Sequence, residues 1–388
     1  MIRVGIECEQ LEGHRFGVGH TLAQLLETAV RTPGIESKYR FVLYFKKELP
    51  KDEFLAHPVF EKKIMTGGLI PPSFNIFYHI IIPIAYWRDR LDCFFFPSYM
   101  LPAFFIGKAI VLLTNDVYWE AHHGNLPFRY RLAYRLFCRW AALRAKKIIT
   151  ISDFSKKELQ KFYNISGERI TANPWGLNGV FKILPRDEKY AKRIEEIKKE
   201  FGIKKDFFLS LGQAFPRRHI KKSVEAFAQI TARYHPDVQY LVACADKYNP
   251  PILAEIIKRA NQALGREAII YTAYLKHDKI IYLMNEALAL VYVSDKEALG
   301  LPPLEALACG RPAIVKDNEI SRELFGDEGY FVADADNSEN IAEQMERILE
   351  NKSETEKIIK KQSPRLKRYD WPTHINRLLN IIDETVEK

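Results

Sequence analysis

The most constraining feature of the chain is a repeated alternation of short, wholly apolar runs with helical or loop segments. Ile2 to Ile6, Phe41 to Phe45, Cys93 to Phe96, Ala109 to Leu113 and Lys147 to Ile151 form one series. Phe207 to Leu211, Tyr240 to Ala243, Ala268 to Tyr271, Leu288 to Val293 and Pro312 to Val315 form a second. A strand that is apolar on both faces has to be covered on both, which is the condition of a parallel sheet flanked by helices. The very charged stretch from Arg186 to Lys205 separates the two series. The sequence therefore predicts an α/β protein with two doubly wound domains, and a chain of 388 residues is long enough for them. Trp371 with Ile375, Leu378, Leu379 and Ile382 predicts an amphipathic closing helix.

Composition excludes several function classes. Apolar residues make up 47% and charged residues 28%, which removes disordered and low-complexity readings. The net charge of +9 suits partners that carry phosphate, whether nucleotides, anionic headgroups or nucleic acid. The positive residues are scattered and no nucleic-acid module accompanies them, so nucleic acid is not an expected partner. Cys8, Cys93, Cys138, Cys244 and Cys309 are odd in number and too widely spaced for a metal site or a disulfide framework. Glu7 and Glu9 interrupt what would have to be the apolar core of a secretory signal, and a cytoplasmic protein is expected. Leu69 to Trp87 carries no formal charge, yet Pro71, Pro72, Ser73, Asn75, His79 and Pro83 argue against a membrane span. A buried helix fits this stretch. So does a face touching the inner side of the cell membrane, with the aromatic run Phe94 to Phe96 beside it.

Three groups of residues follow strands and can carry chemistry. The strand ending near Val293 leads through Ser294, Asp295, Lys296 and Glu297 to Pro302, Pro303 and Glu305, which reads as a loop and a helix start closed by Gly310. This places Glu305 in a first helical turn. Ligands of parallel sheets collect beyond the carboxyl ends of strands, where Glu297 and Glu305 could accept hydrogen bonds from sugar or ribose hydroxyls. The alternative is that Glu305 only complements the helix dipole while Glu297 is a solvated loop residue. Gly17, Val18 and Gly19 form a glycine loop before the first helix, either an ordinary turn or a place where backbone approaches a diphosphate. Leu22 stands where a dinucleotide fingerprint needs its third glycine, which disfavours a nicotinamide enzyme. Gln213, Arg217 and Arg218 follow the first strand of the second series and suit phosphate oxygens. Asn115 and Asp116 close another strand, and Asp116 could orient a hydroxyl. Ser155 with Glu158 matches a capping box.

In this order the pieces resemble the retaining glycosyltransferases of family 4. The most specific stretch is EALGLPPLEALACG (Glu297 to Gly310), similar to that family's two-glutamate block; Ile149 to Phe181 and Phe208 to Ile230 agree as well. The resemblance implies a GT-B fold, with two Rossmann-like domains facing an interdomain cleft. Residues 1–180 would form the acceptor-side domain, 181–366 the nucleotide-sugar domain, and 367–388 a helix packing back on the first. It implies Glu297 beside the donor sugar and Glu305 on the ribose. Ala298, Leu299, Gly300 and Leu301 would form the loop between them, and Gly17 and Gly19 would lie near the diphosphate. Gln213 stands where the family has Arg, Arg218 where it has Lys, and Asn115 with Asp116 where it commonly has His-Asp. The implied reaction moves a hexosyl unit from a nucleotide-diphosphate sugar to a glycan or lipid-linked acceptor. Arg218 would stabilise the leaving diphosphate, with no metal or other cofactor. A GT-B sugar-nucleotide epimerase is an alternative that would need added acids and a histidine at the sugar site, which the sequence does not identify. A nucleotide-sugar-binding protein without turnover stays open, because of Gln213 and Asn115.

Overall fold

The computed structural model describes residues 1–15, 17–66, 73–124, 127–233 and 237–387. The chain divides into two compact units, Met1–Gly176 with Arg368–Lys388, and Leu177–Lys367. The Arg186 to Lys205 stretch that separates the two series belongs to the second unit. Its helix Glu188–Phe201 buries Tyr190, Ile194 and Ile197. Lys198 reaches Glu286 at 2.8 Å and Arg193 reaches Asp278 at 2.8 Å, so its charges lie on the outer face of that helix.

Unit 1 holds seven strands: β1 (Ile2–Glu7), β2 (Tyr39–Phe45), β3 (Phe60–Ile64), β4 (Cys93–Phe96), β5 (Ala109–Leu112), β6 (Lys147–Thr150) and β7 (Ile170–Ala172). They form one parallel sheet in the order β3-β2-β1-β4-β5-β6-β7. The chain builds outward from β1 to β3, then returns beside β1 and builds the other way, so the order reverses between β1 and β4. Phe94, Phe95 and Phe96 are core residues of β4, with the Phe94 and Phe96 rings stacked at 4.4 Å. That corrects their reading as a membrane-facing run: a central strand of a covered sheet has no free face. Of the uncharged stretch, residues 69–72 lie outside the described residues. Beyond them Phe77, Tyr78, Ile82, Ala85 and Tyr86 enter the core, while Ile80, Ile84 and Trp87 face water. Among the described residues no helix is long and apolar enough to cross a membrane.

The helix Trp371–Glu387 closes unit 1. Burial pushes His374 down to about 4, so its ring is neutral and Nδ1–H donates to Pro174 O at 3.0 Å. Asn173 Nδ2 donates to His374 O at 3.1 Å, and Lys108 Nζ to Val386 O at 2.6 Å. Gly176 is packed so closely on Trp371 that a Cβ there would collide with the indole.

Unit 2 holds β8 (Asp206–Ala214), β9 (Val238–Asp246), β10 (Ile269–Thr272), β11 (Leu290–Tyr292), β12 (Ala313–Lys316) and β13 (Tyr330–Val332), again all parallel. Their order is β10-β9-β8-β11-β12-β13, with the reversal between β8 and β11. Phe208, Phe227, Tyr240, Val291 and Ile314 are in its core. The buried Ser210 hydroxyl is satisfied by Tyr240 OH and Val291 O, each at 2.7 Å.

Candidate functional site

In an open parallel sheet the helices on either side diverge where the strand order reverses, and the crevice left at the carboxyl ends of those two strands takes ligands. In unit 2 these are the ends of β8 and β11. After β8 the chain makes a short 3-10 turn, Pro216–Arg218, passes through His219 at a left-handed φ of 46°, and enters the helix Ile220–Arg233. After β11 it runs through Ser294 and Asp295 to Glu297. The two loops are joined backbone to backbone, Asp295 N donating to Arg217 O at 2.9 Å.

Side chains complete the junction. Arg218 Nε donates to Glu297 Oε1 at 3.1 Å, and Tyr292 OH donates to the same oxygen at 2.9 Å. Arg218 Nη1 donates to Gln213 O at 3.0 Å, and its guanidinium lies 4.8 Å from the centre of the Tyr292 ring. Burial opposes the charge on Arg218, but Tyr292 and Glu297 outweigh it and hold the guanidinium above its ordinary pKa. Gly212, inside β8 at a φ of 106° that favours glycine, leaves room for the guanidinium; a Cβ there would lie 3.2 Å from Arg218 Nη1. Gln213 contributes its carbonyl to this cluster while its residue surface is exposed. Arg217 stacks 4.5 Å over Phe215 and donates to Lys296 O at 3.4 Å. Behind them Asp295 bridges His219 Nε2, at 2.8 Å, and Lys316 Nζ. Burial alone would raise its carboxyl, but these partners pull it down to about 2.

The helix after this loop is Leu301–Ala308, with Gly300 as its N-cap at a φ of 85° and Ala298 and Leu299 buried before it. Gly310, at a φ of 72°, follows its end as expected. Glu305 therefore lies in the second turn, not the first, because the helix begins one residue before the prolines. Of the four N–H groups that a helix start leaves free, Pro302 and Pro303 lack two, so this terminus offers an anion less than a full set. Glu305 is half-buried, its carboxylate has no hydrogen-bonding or ionic partner among the described residues, and burial raises its pKa to about 7.

Gly17, Gly19 and Asp116 belong to unit 1. Gly17 and Gly19 are not a loop: they form the first turn of the helix Gly17–Val30. A Cβ on Gly19 would strike Gln10 O, whereas Gly17 has open space beside it. Asn115 and Asp116 likewise begin a helix, Asn115–His123, rather than ending a strand. Asn115 Nδ2 donates to Glu158 Oε2 at 3.1 Å, and Asn115 N to Ser155 Oγ at 3.1 Å. Ser155 and Glu158 are thus taken up by Asn115, and the cap of the helix Asp153–Tyr163 is Ser152, which accepts from Ser155 N at 2.9 Å.

Sequence reasoning placed His219 beside Arg217 and Arg218 but missed Tyr292, Asp295 and Lys316 as parts of the cluster; only the pairing of β8, β11 and β12 brings them together. It also missed Glu7. At the reversal point of unit 1 this fully buried carboxyl accepts from Ser98 Oγ and, at 2.8 Å, from Glu9 N, and burial pushes it up to about 7.

Residues 193–365, within unit 2, match the family described as glycosyl transferases group 1. The serotype-specific mannosyltransferase WbdA of Escherichia coli is 26% identical over 257 residues, 65% of this chain and 30% of that protein. The chain thus spans about a third of the length of that relative. The O-antigen chain mannosyltransferase B of Escherichia coli is 25% identical over 237 residues, 61% of this chain and 60% of that one. HepE of Anabaena, solved in complex with UDP-glucose, superposes with a TM-score of 0.71 at 14% identity, over 99% of this chain and 100% of that one. Two parallel-sheet Rossmann-like units in this arrangement of strands are the GT-B fold.

Proposed function

We propose that this protein is a retaining hexosyltransferase of family 4. It moves a mannosyl, glucosyl or similar unit from a nucleotide-diphosphate sugar to a glycan or lipid-linked acceptor, at the cytoplasmic side of polysaccharide or O-antigen-like assembly. The observation that carries this reading is the Arg218–Glu297–Tyr292 cluster at the reversal point of unit 2, with the unpartnered Glu305 on the next helix. Mannose is favoured by the mannosyltransferases among the relatives.

In this reading the half-buried Glu305 accepts hydrogen bonds from the ribose hydroxyls, exchanging an unsatisfied carboxylate for a satisfied one. Arg218, fixed by Tyr292 and Gln213 O, takes the charge that grows on the departing diphosphate, so no divalent ion is required. Glu297 shares one oxygen with Arg218 and Tyr292 and turns toward the sugar as that charge moves to the phosphate. Asp116 in unit 1 orients the acceptor hydroxyl. With attack and departure on one face of the sugar, the leaving phosphate oxygen receives the acceptor's proton and the anomeric configuration is kept.

A panel of GDP- and UDP-hexoses tests this, read as donor hydrolysis without acceptor and as transfer with a polyprenyl-linked glycan, the product anomer being assigned by NMR. Retained configuration with one preferred donor is expected. Binding without any turnover would turn the reading to a nucleotide-sugar-binding protein, as Gln213 and Asn115 would favour; no binding of any nucleotide would overturn both.

A further inference from the structure

Between Glu120 and Asp153 the sequence has no acidic residue, against Arg129, Arg131, Arg135, Arg139, Arg144, Lys146 and Lys147. Most of this segment is the helix Phe128–Arg144, which buries Cys138, Ala141 and Ala142 in unit 1. At about 100° per residue, Phe128, Leu132, Leu136, Arg139 and Leu143 fall within about a quarter-turn on its outer side. Phe128 is 75% exposed, Leu136 60% and Leu143 57%. A surface helix ordinarily turns such a stripe inward. This one turns it to water.

Two further apolar groups stand beside it. Ile80, Ile84 and Trp87 form a second exposed stripe, and Phe104 and Ile106 are exposed on the loop between. They share one neighbourhood: the His79 ring stacks on Phe137 at 5.0 Å, Ala103 N donates to His79 Nδ1 at 3.1 Å, and Trp140 Nε1 donates to Pro102 O at 3.3 Å. None of the five arginines pairs with a carboxylate among the described residues. Arg131 and Arg135 donate to Ala121 O and His122 O at the end of the preceding helix, and Arg144 lies 5.5 Å from the centre of the Trp140 ring.

Apolar side chains interleaved with uncompensated cations match a surface that offers hydrocarbon and negative charge together. A second copy of this face would set arginines against arginines. Nucleic acid would offer the leucines no hydrocarbon. We propose that this face of unit 1 docks on an anionic lipid leaflet, with Phe128, Leu132, Leu136 and Leu143 at the acyl boundary and the arginines among headgroup phosphates. The proposal stands whether or not the reaction above is right, although a lipid-linked acceptor would be reached from such a surface.

Co-sedimentation of the full chain with vesicles of phosphatidylcholine, alone or with phosphatidylglycerol, tests it. Binding is expected only to the mixed vesicles and is expected to weaken as salt shortens the Debye length from about 10 Å at 0.1 M to about 3 Å at 1 M. Leu132→Ser with Leu136→Ser should lower the partition about tenfold, from the apolar surface left unburied. Arg139→Ser should lower it on mixed vesicles, and Ile183→Ser, an exposed apolar position of unit 2, should leave it unchanged. Unchanged thermal midpoints show that the variants are folded. Equal binding to both vesicle types, no binding at low salt, or a Leu132/Leu136 variant that binds as well as the parent would overturn the proposal. So would self-association of the parent that the double variant loses without any vesicle binding.

Discussion

Glu305→Gln separates a ligand-binding role from a structural one, because the two predict opposite signs. Burial holds the Glu305 carboxyl at about 7 against 4.5 when unperturbed. Below pH 4.5 the group is protonated in both folded and unfolded chains and costs nothing. Between 4.5 and 7 it ionises only in the unfolded chain, so stability falls as pH rises. Above 7 the loss is complete, at about 3 kcal/mol before the water reaching this half-buried side chain takes back part. Glutamine has the same shape and no charge to desolvate. It is therefore expected to stabilise unit 2 by about 2–3 kcal/mol at pH 8 and by almost nothing at pH 4.5, which for a unit of this size raises the unfolding midpoint by roughly 4–12 °C. The same substitution removes the ionised acceptor of the ribose hydroxyls and should weaken the nucleotide by about tenfold. Donor affinity of the parent should rise with pH up to about 7 and then level off, and the variant should lose that slope. Scanning calorimetry at both pH values with titration calorimetry of the nucleoside diphosphate decides it. A variant no more stable at pH 8 than the parent refutes the burial argument; a stabilised variant that still binds the nucleotide fully refutes the ribose assignment.

Arg218→Ala should weaken donor binding by about 1.5–3 kcal/mol, and Arg217→Ala by much less, since only Arg218 is fixed by Glu297, Tyr292 and Gln213 O; equal losses in donor titrations would refute the assignment. Transfer should persist in excess EDTA, because a fixed guanidinium neutralises the diphosphate; activity lost in EDTA and restored by manganese would contradict this.

Which strands the sequence shows is itself a physical result. β1, β2, β4, β5 and β6 in unit 1, and β8, β9, β11 and β12 in unit 2, all contain continuous apolar runs, and each lies between two neighbours; β10 shows such a run although it is an edge strand. β3, β7 and β13 escape. Each sits at a sheet edge: β3 reads Phe-Glu-Lys-Lys-Ile with only Phe60 buried, and β7 and β13 are only three residues long. An edge strand is covered less, so its sequence needs less apolar surface, and at three of the four borders the signal fades.

The candidate site was legible only where its causes are local. Gly300 has to adopt a positive φ, Pro302 and Pro303 suit a helix start, and Gly310 ends the helix; all are short-range requirements that the block from Glu297 to Gly310 displays in sequence. The pairs that give the site its chemistry are long-range. Arg218 and Glu297 are 79 residues apart, and Glu7 and Ser98 are 91 apart. Topology puts each pair together. In unit 1 the order of strands reverses between β1 and β4, with Glu7 at the end of one and Ser98 just past the other. In unit 2 it reverses between β8 and β11, with Arg218 and Glu297 in the loops that follow. At the reversal the covering helices part, leaving room for a carboxylate together with the group that satisfies it. A glutamate soon after an apolar strand is thus ambiguous in sequence until it is known which two strands flank the reversal. That knowledge separates Glu297 from the solvated glutamates around it, and it explains Glu7 as a buried, hydrogen-bonded carboxyl at the reversal of unit 1 rather than an interruption of an apolar run.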